Sequence, residues 1–319
     1  MKIVILDGFA ANPGDLSWKG LDRFGEVVNY DRTRPEEVLE RSAGADVLLT
    51  NKTVLDRKTI ESLPDLKMIG VLATGYNIVD IEAAKEKGIP VCNVPAYSTD
   101  SVSQLVFAFI LEQTNRVADH TASVAAGDWV NSLDFSYMVA PMTELSGKTM
   151  GFVGFGNVAK KTADIATAFG MKVIAYSRTM KGQEDRKNFS WVSLDELCEQ
   201  ADFISLNCPL TPQTQGLVNK EFLAKMKPTA MLINTARGPV VVEQDLADAL
   251  NQGVIAAAAV DVLSTEPPKE DNPLLTAKNI WITPHAGWAS YEARVRLLKV
   301  TEENLEAFVK GEPQNVVNK

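Results

Sequence analysis

The 319-residue chain holds two histidines, His120 and His285. Imidazole is the side chain whose charge ordinarily changes near neutral pH. His285 stands in Thr283-Pro284-His285-Ala286-Gly287-Trp288, directly after a strand-like apolar run at 280–283. Loops beyond the carboxyl ends of strands are where open α/β sheets bind ligands. Two other such loops carry charge: Asn234-Thr235-Ala236-Arg237-Gly238 and Asp261-Val262-Leu263-Ser264-Thr265-Glu266-Pro267. An imidazole, a guanidinium and carboxylates at three successive strand ends suit proton transfer on an anchored anion. His120 lies within a helical stretch and reads as structural.

A fourth loop supplies the missing reactant. Gly154-Phe155-Gly156-Asn157-Val158-Ala159 follows the apolar run 150–153 and opens a helix-like segment at 159–166. Strand, tight glycine turn and helix in that order make the dinucleotide fingerprint G-x-G-x-x-A. Gly154 permits the sharp turn, Gly156 lets backbone approach a pyrophosphate, and Ala159 permits close helix–strand packing. Amides of Asn157 and Val158 at the helix start face the anion. The next strand ends in Tyr176-Ser177-Arg178-Thr179, about twenty residues on, where NAD-using proteins carry an acid against the adenosine ribose. Serine followed by arginine accepts a 2′-phosphate that a carboxylate would repel. The residues therefore favour NADP(H), with NAD(H) as the alternative. Beside a nicotinamide, the three charged loops form a coherent hydride-transfer site.

Composition limits the partners. The 32 Lys and Arg against 41 Asp and Glu leave a net charge of −9, which disfavours nucleic acid and anionic membrane. Cys92, Cys198 and Cys208 show neither C-x-x-C spacing nor a histidine cluster. They read as reduced core residues of a cytoplasmic protein, with no metal site. The start turns polar too soon for a signal peptide. No run approaches the ~18 apolar residues of a membrane span.

The elements that position these loops form two alternating series. Short apolar runs at 3–6, 47–50 and 68–73 suit buried parallel strands, with helices between them. Pro35 opens a helix over 35–41, Asp56 and Asp80 are N-caps, and Gly88 is a helix stop. A long helix is expected from about Asp100 to 125–127, buried over its apolar stretch 101–111. Residues 128–145 are irregular yet rich in Trp129, Phe135, Tyr137 and Met138. They either pack on their own domain or lie on a second subunit. A second series has strands at 149–153, 172–176, 203–206, 231–234, 255–260 and 280–283, and helices over 193–197 and 243–251. A long amphipathic helix over 289–310 ends the chain. The simplest architecture is one α/β domain inserted in another: residues 1–98 and 289–319 outside, a dinucleotide-binding domain at 99–288 inside.

Seven segments in order now carry a resemblance: Ala73-Thr74-Gly75-Tyr76-Asn77, Tyr97 to Gln104, the glycine turn, Cys208 to Thr214, Ile233 to Gly238, Asp261 to Pro267, and Pro284 to Trp288. Together they resemble the D-isomer-specific 2-hydroxyacid dehydrogenases. Leu6-Asp7-Gly8, Asn12 to Trp18 and Ala73 to Asn77 are most similar to its glycerate dehydrogenase (hydroxypyruvate reductase) branch. The resemblance implies two doubly wound parallel-sheet domains, a Rossmann domain inserted into a flavodoxin-like substrate domain. It implies hydride exchange between NAD(P)H and a small 2-oxo acid, with hydroxypyruvate and D-glycerate expected and glyoxylate also accepted. Other expectations are the same chemistry on 2-ketogluconate or phosphohydroxypyruvate, or a non-enzymatic dinucleotide sensor. Carried over by motif, His285 is the general acid/base, Glu266 its carboxylate partner and Arg237 the substrate anchor. Backbone at Ala73, Thr74 and Gly75 holds the substrate carboxylate, and Trp288 walls the pocket. Asp261 contacts the nicotinamide carboxamide, or else caps its own turn. Thr99, Cys208, Pro209, Thr214, Thr235, Ala236 and Gly287 complete the dinucleotide site. A cleft that closes on substrate and a homodimer are also implied. Ser177, in place of the usual acid, is the departure that opens the choice of cofactor.

Overall fold

The computed structural model describes residues 1–183 and 185–319. They form two compact units, Met1–Ser98 with Trp288–Lys319, and Thr99–Gly287. Trp288, read from sequence as the end of the inserted segment, lies with the first unit. Its ring meets Tyr97 edge-on, with centroids 6.3 Å apart.

The first unit runs β1 (Lys2–Ile5), β2 (Glu26–Asn29), α1 (Val38–Ser42), β3 (Val47–Thr50), α2 (Arg57–Glu61), β4 (Met68–Val71), α3 (Ile81–Glu86) and β5 (Val91–Cys92). Among the described residues its strands pair in parallel in the order β2-β1-β3-β4-β5. Side chains alternate across this sheet. Val4, Leu6, Leu48 and Ile69 pack toward Val38, Ile60 and Ala83 of the three helices. Ile3, Ile5, Val47 and Leu49 pack on the opposite face with Ala293, Leu297 and Leu305 of the chain-terminal helix. Each such buried leucine or isoleucine contributes about 2 kcal/mol. The expected caps form: Asp56 accepts the Thr59 N–H at 2.8 Å and Asp80 the Ala83 N–H at 2.9 Å. The helix expected over 35–41 splits into a 3-10 turn at Pro35–Glu37 and α1.

The order of these strands reverses at β1, and Asp7 lies just beyond the end of that strand. Its carboxylate accepts N–H groups from Asn51 (2.7 Å), Lys52 (2.6 Å) and Thr53 (2.8 Å). That ties the loop after β3 to the end of β1.

The second unit runs α4 (Thr99–Asn115), α5 (Val117–Ala125), β6 (Thr149–Val153), α6 (Asn157–Ala168), β7 (Lys172–Tyr176), β8 (Phe189–Trp191), α7 (Leu194–Gln200), β9 (Phe203–Leu206), α8 (Lys220–Lys225), β10 (Met231–Asn234), α9 (Glu243–Gln252), β11 (Ala257–Val260) and β12 (Ile280–Ile282). The chain-terminal helix, α10, is Tyr291–Val309. The second sheet is also parallel, in the order β12-β11-β10-β9-β6-β7-β8. This is the dinucleotide-binding order with one strand added at an edge. Its central strands β9, β10 and β11 are buried throughout, as helices on both faces require.

The single helix expected from Asp100 breaks in two. Arg116 adopts a left-handed conformation (φ 51°) and ends the regular run after Asn115. α4 buries Val106, Phe107, Phe109 and Ile110 against Phe152, Ala159 and Ala163. α5, beyond the stretch expected to be buried, buries none of its residues. Beyond it, residues 128–142 are largely exposed. Leu133 is fully exposed and Phe135 is 91% exposed. Of the two readings of this arm, packing within its own domain leaves these side chains uncovered. The three cysteines are free, buried thiols. Burial pushes Cys92 up to about 11 and Cys198 up to about 12.

Candidate active site

The glycine turn leaves β6 through Gly154, at φ 87°. A Cβ at this position would stand 2.8 Å from the Cys208 amide nitrogen, so only glycine fits. The close approach lies between the ends of β6 and β9, the strands at which the sheet order reverses. Gly156 is the N-cap of α6; no side chain caps that helix, and a Cβ there would meet open space. Ala159 is fully buried, the packing role expected of the third small residue. Uncapped amides at Asn157 and Val158 beside an open position suit a pyrophosphate. Ser177 is half-buried beyond β7, and Arg178 and Thr179 are exposed. Cys208 is buried, while Pro209 is exposed. The Thr214 hydroxyl donates to Pro209 O at 2.6 Å, so this threonine closes its own turn.

The Arg237 loop is shaped by buried Asn234 at the end of β10. Its Oδ1 accepts the Ala236 N–H and its Nδ2 donates to Arg237 O, both at 3.0 Å. The Thr235 hydroxyl is buried with no partner. Arg237 Nη1 donates to Ala236 O at 2.7 Å. Gly238 follows, and a Cβ there would overlap the Leu263 carbonyl and Ser264 N. The arginine loop thus lies flat against the loop that carries Glu266.

Asp261, at the end of β11, is 3% exposed. Its Oδ1 accepts the Thr283 hydroxyl at 2.6 Å and the Ala286 N–H at 2.8 Å. Oδ2 accepts the Gly287 N–H at 2.9 Å. The His285 N–H donates to Asp261 O at 2.8 Å. Ser101 Oγ donates to Gly287 O at 2.6 Å. Together these bonds enclose His285, whose φ is 52°. Left-handed backbone is unfavourable for residues other than glycine and persists only where the surroundings impose it. These contacts do not cap the turn that follows Asp261, the alternative role expected for it; they hold the turn after β12, more than twenty residues downstream.

His285 and Glu266 meet directly. His285 Nδ1 stands 2.7 Å from Glu266 Oε2, and Glu266 Oε1 accepts the Leu263 N–H at 3.1 Å. A carboxylate on Nδ1 fixes the orientation of the ring. The two side chains retain about 25% and 35% exposure, so solvent screens the pair in part. His120 lies apart from these residues. Its ring faces Arg116 O at 2.8 Å through Nδ1 and accepts the Val139 N–H at 3.4 Å through Nε2.

In the first unit, the loop after β4 carries Ala73, Thr74 and Gly75. Thr74 Oγ1 donates to Val94 O at 2.9 Å, and Asn93 Nδ2 donates to Thr74 O at 2.8 Å. Thr99 begins α4. The side chains of Asn234, Ser101 and Thr283 also shape the charged loops, without a role assigned to them from sequence. Asn234 and Thr283 are signalled only as polar residues at strand ends, and Ser101, in the first turn of α4, has no such signal. Among the described residues there is no group of three or more His, Cys, Asp or Glu able to hold a metal, and no helix long and apolar enough to cross a membrane.

Comparison with known proteins adds a second line. Residues 107–287 match the family described as D-isomer specific 2-hydroxyacid dehydrogenase, NAD binding domain. The chain is 52% identical to a hydroxypyruvate reductase of Blautia hydrogenotrophica over the full length of both. It is 41% identical to a glycerate dehydrogenase of Methylorubrum extorquens over 92% of each chain. A solved acyclic imino acid reductase in complex with NADPH and D-Arg superimposes with a TM-score of 0.88 at 30% identity, covering 99% of this chain and 100% of that one.

Asp261→Asn provides a test of the enclosed turn. Whichever oxygen becomes an amide, its N–H groups face the Ala286 or Gly287 N–H. About 1–3 kcal/mol of stability is expected to be lost, read as a lower melting temperature. An unchanged melting temperature would show that the carboxylate is not holding this turn.

Proposed function

Since the chain belongs to the D-isomer-specific 2-hydroxyacid dehydrogenase family, we propose that it reduces hydroxypyruvate to D-glycerate, with His285 as proton donor. The observation that carries this reading is the 2.7 Å contact of His285 Nδ1 with Glu266. End-to-end likeness to a hydroxypyruvate reductase supports the substrate.

When bound, the reduced nicotinamide dinucleotide supplies the hydride that adds to C2. The chain's own residues do the rest. Glu266 holds the imidazole by Nδ1 and leaves Nε2–H as the proton source for the C2 oxygen. The carbonyl π bond breaks, its electron pair goes to oxygen, and one proton from Nε2 completes the hydroxyl. Arg237 anchors the carboxylate and stabilises negative charge growing on the oxygen. The amides of Asn157 and Val158, with Gly154 and Gly156, hold the pyrophosphate.

Two finer assignments rest on local chemistry. Ser177 and exposed Arg178 suit a 2′-phosphate, so NADPH is the preferred reductant. The exposed side chains Trp129, Leu133, Phe135 and Met138 make an apolar arm on the second unit. An apolar patch of this kind marks an interaction surface, and we assign it to a second copy of the chain.

Three measurements check these statements. Hydroxypyruvate-dependent loss of reduced-nicotinamide absorbance is expected, and His285→Ala should lose about 10²–10⁴-fold in kcat while retaining dinucleotide binding. Near-normal turnover in that variant would remove His285 as the proton donor. Ser177→Asp should shift the ratio of kcat/KM values from NADPH toward NADH, and an unaltered ratio would end the 2′-phosphate assignment. Phe135→Asp combined with Leu133→Asp should sediment as a monomer where the parent sediments as a dimer. A parent that is itself monomeric at micromolar concentration contradicts the arm's role.

A further inference from the structure

Glu243 begins α9 and takes no part in the chemistry above. Its carboxylate reaches out of the helix. Oε1 accepts the Ser264 N–H at 2.7 Å. Oε2 accepts the Ser264 hydroxyl at 2.7 Å and Asn272 Nδ2 at 2.9 Å. Ser264 and Asn272 flank Glu266 on either side, so one carboxylate joins both feet of the loop that presents it. Asn272 is itself anchored. Its Oδ1 accepts the Leu274 N–H at 3.0 Å and its side chain is buried.

The segment on which Glu243 stands is also tied to the site. It continues directly from Arg237 and Gly238 through a 3-10 turn, where the Val241 N–H donates to Gly238 O at 3.0 Å. Gly238 in turn abuts Leu263 and Ser264. The stretch from Arg237 to Glu243 therefore grips the Glu266 loop twice, once by backbone contact and once by charge-assisted hydrogen bonds. A simple capping role does not account for this. The N-cap of α9 is Val242, which makes no side-chain cap bond, and the three bonds described for Glu243 all leave the helix.

We infer that Glu243 is a positioning residue, holding the Glu266 loop against the Arg237 segment so that Glu266 meets His285 Nδ1. This rests on the reading of His285 and Glu266 as proton donor and partner. Hydrogen bonds to an ionised group are worth about twice neutral ones, so three on one carboxylate hold a loop firmly. A carboxylate displaced from Nδ1 by about 1 Å is enough to cost up to 10²-fold in rate.

The test assays Glu243→Ala and Glu243→Gln as hydroxypyruvate reductases, with Glu266→Gln and the double variant Glu243→Ala/Glu266→Gln as references. Glu243→Ala is expected to lose about 10- to 100-fold in kcat, with dinucleotide affinity unchanged. Because Glu243 acts through Glu266, the double variant should lose no more in kcat than Glu266→Gln alone. Glu243→Gln keeps one acceptor for the Ser264 N–H and should fall between parent and alanine variant, which also serves if the alanine variant does not fold. A parent-like kcat in both Glu243 variants, or losses that multiply in the double variant as for independent sites, overturns the role of Glu243 and leaves the active-site reading intact. A parent-like kcat in Glu266→Gln itself overturns that reading and the role of Glu243 with it.

Discussion

A buried carboxylate holding a histidine in left-handed backbone is the constraint on which the rest of the site depends. The conformation of His285 costs on the order of 1–3 kcal/mol. Asp261 outweighs that cost with three hydrogen bonds to an ionised group, each worth about 1.5–3 kcal/mol. Without that clamp the turn would relax, and Nδ1 would swing away from Glu266. The strain is local, imposed by a neighbouring strand end, and it aims the side chain that is assigned the proton.

Parallel pairing explains why such a clamp is available. Asn234 lies opposite Val260 in register, and Val260 opposite Ile282. The loops bearing Arg237, Glu266 and His285 therefore leave neighbouring strands at almost the same level. Three segments far apart in sequence meet at one sheet edge without any long side chain having to span the gap. Antiparallel pairing would send alternate loops to opposite edges. The buried aspartate and Gly238 then convert a shared edge into a fixed geometry, because each ties one loop to the next, while the buried asparagine folds the Arg237 loop on itself. Glu243 extends the same logic one layer outward.

Much of this was legible in the residues. Central strands buried on both faces are continuous apolar runs, and β3, β4, β9 and β10 were readable for that reason. The edge strands β2 and β8 were not, because half-exposed strands lose the apolar run. β5 has only two residues. Caps at Asp56 and Asp80 follow from local chemistry and formed where expected. The break at Arg116 left no such trace, since nothing in its side chain favours left-handed backbone. Asp261 shows the same limit at the site. Its motif marks it as important, but the partners of its two oxygens sit more than twenty residues downstream.

The sequence by itself determined the chemistry: a glycine turn of the dinucleotide-binding type, one histidine at a strand end, and one arginine and a carboxylate on the adjoining loops. It also determined the alternation of strands and helices, because hydrophobic period and capping are properties of neighbouring residues. Tertiary structure alone decided which loops touch, which oxygen of Asp261 receives which N–H, and that Glu243 serves a loop rather than its own helix. Those outcomes depend on strand order and register, and these arise from packing between segments distant along the chain.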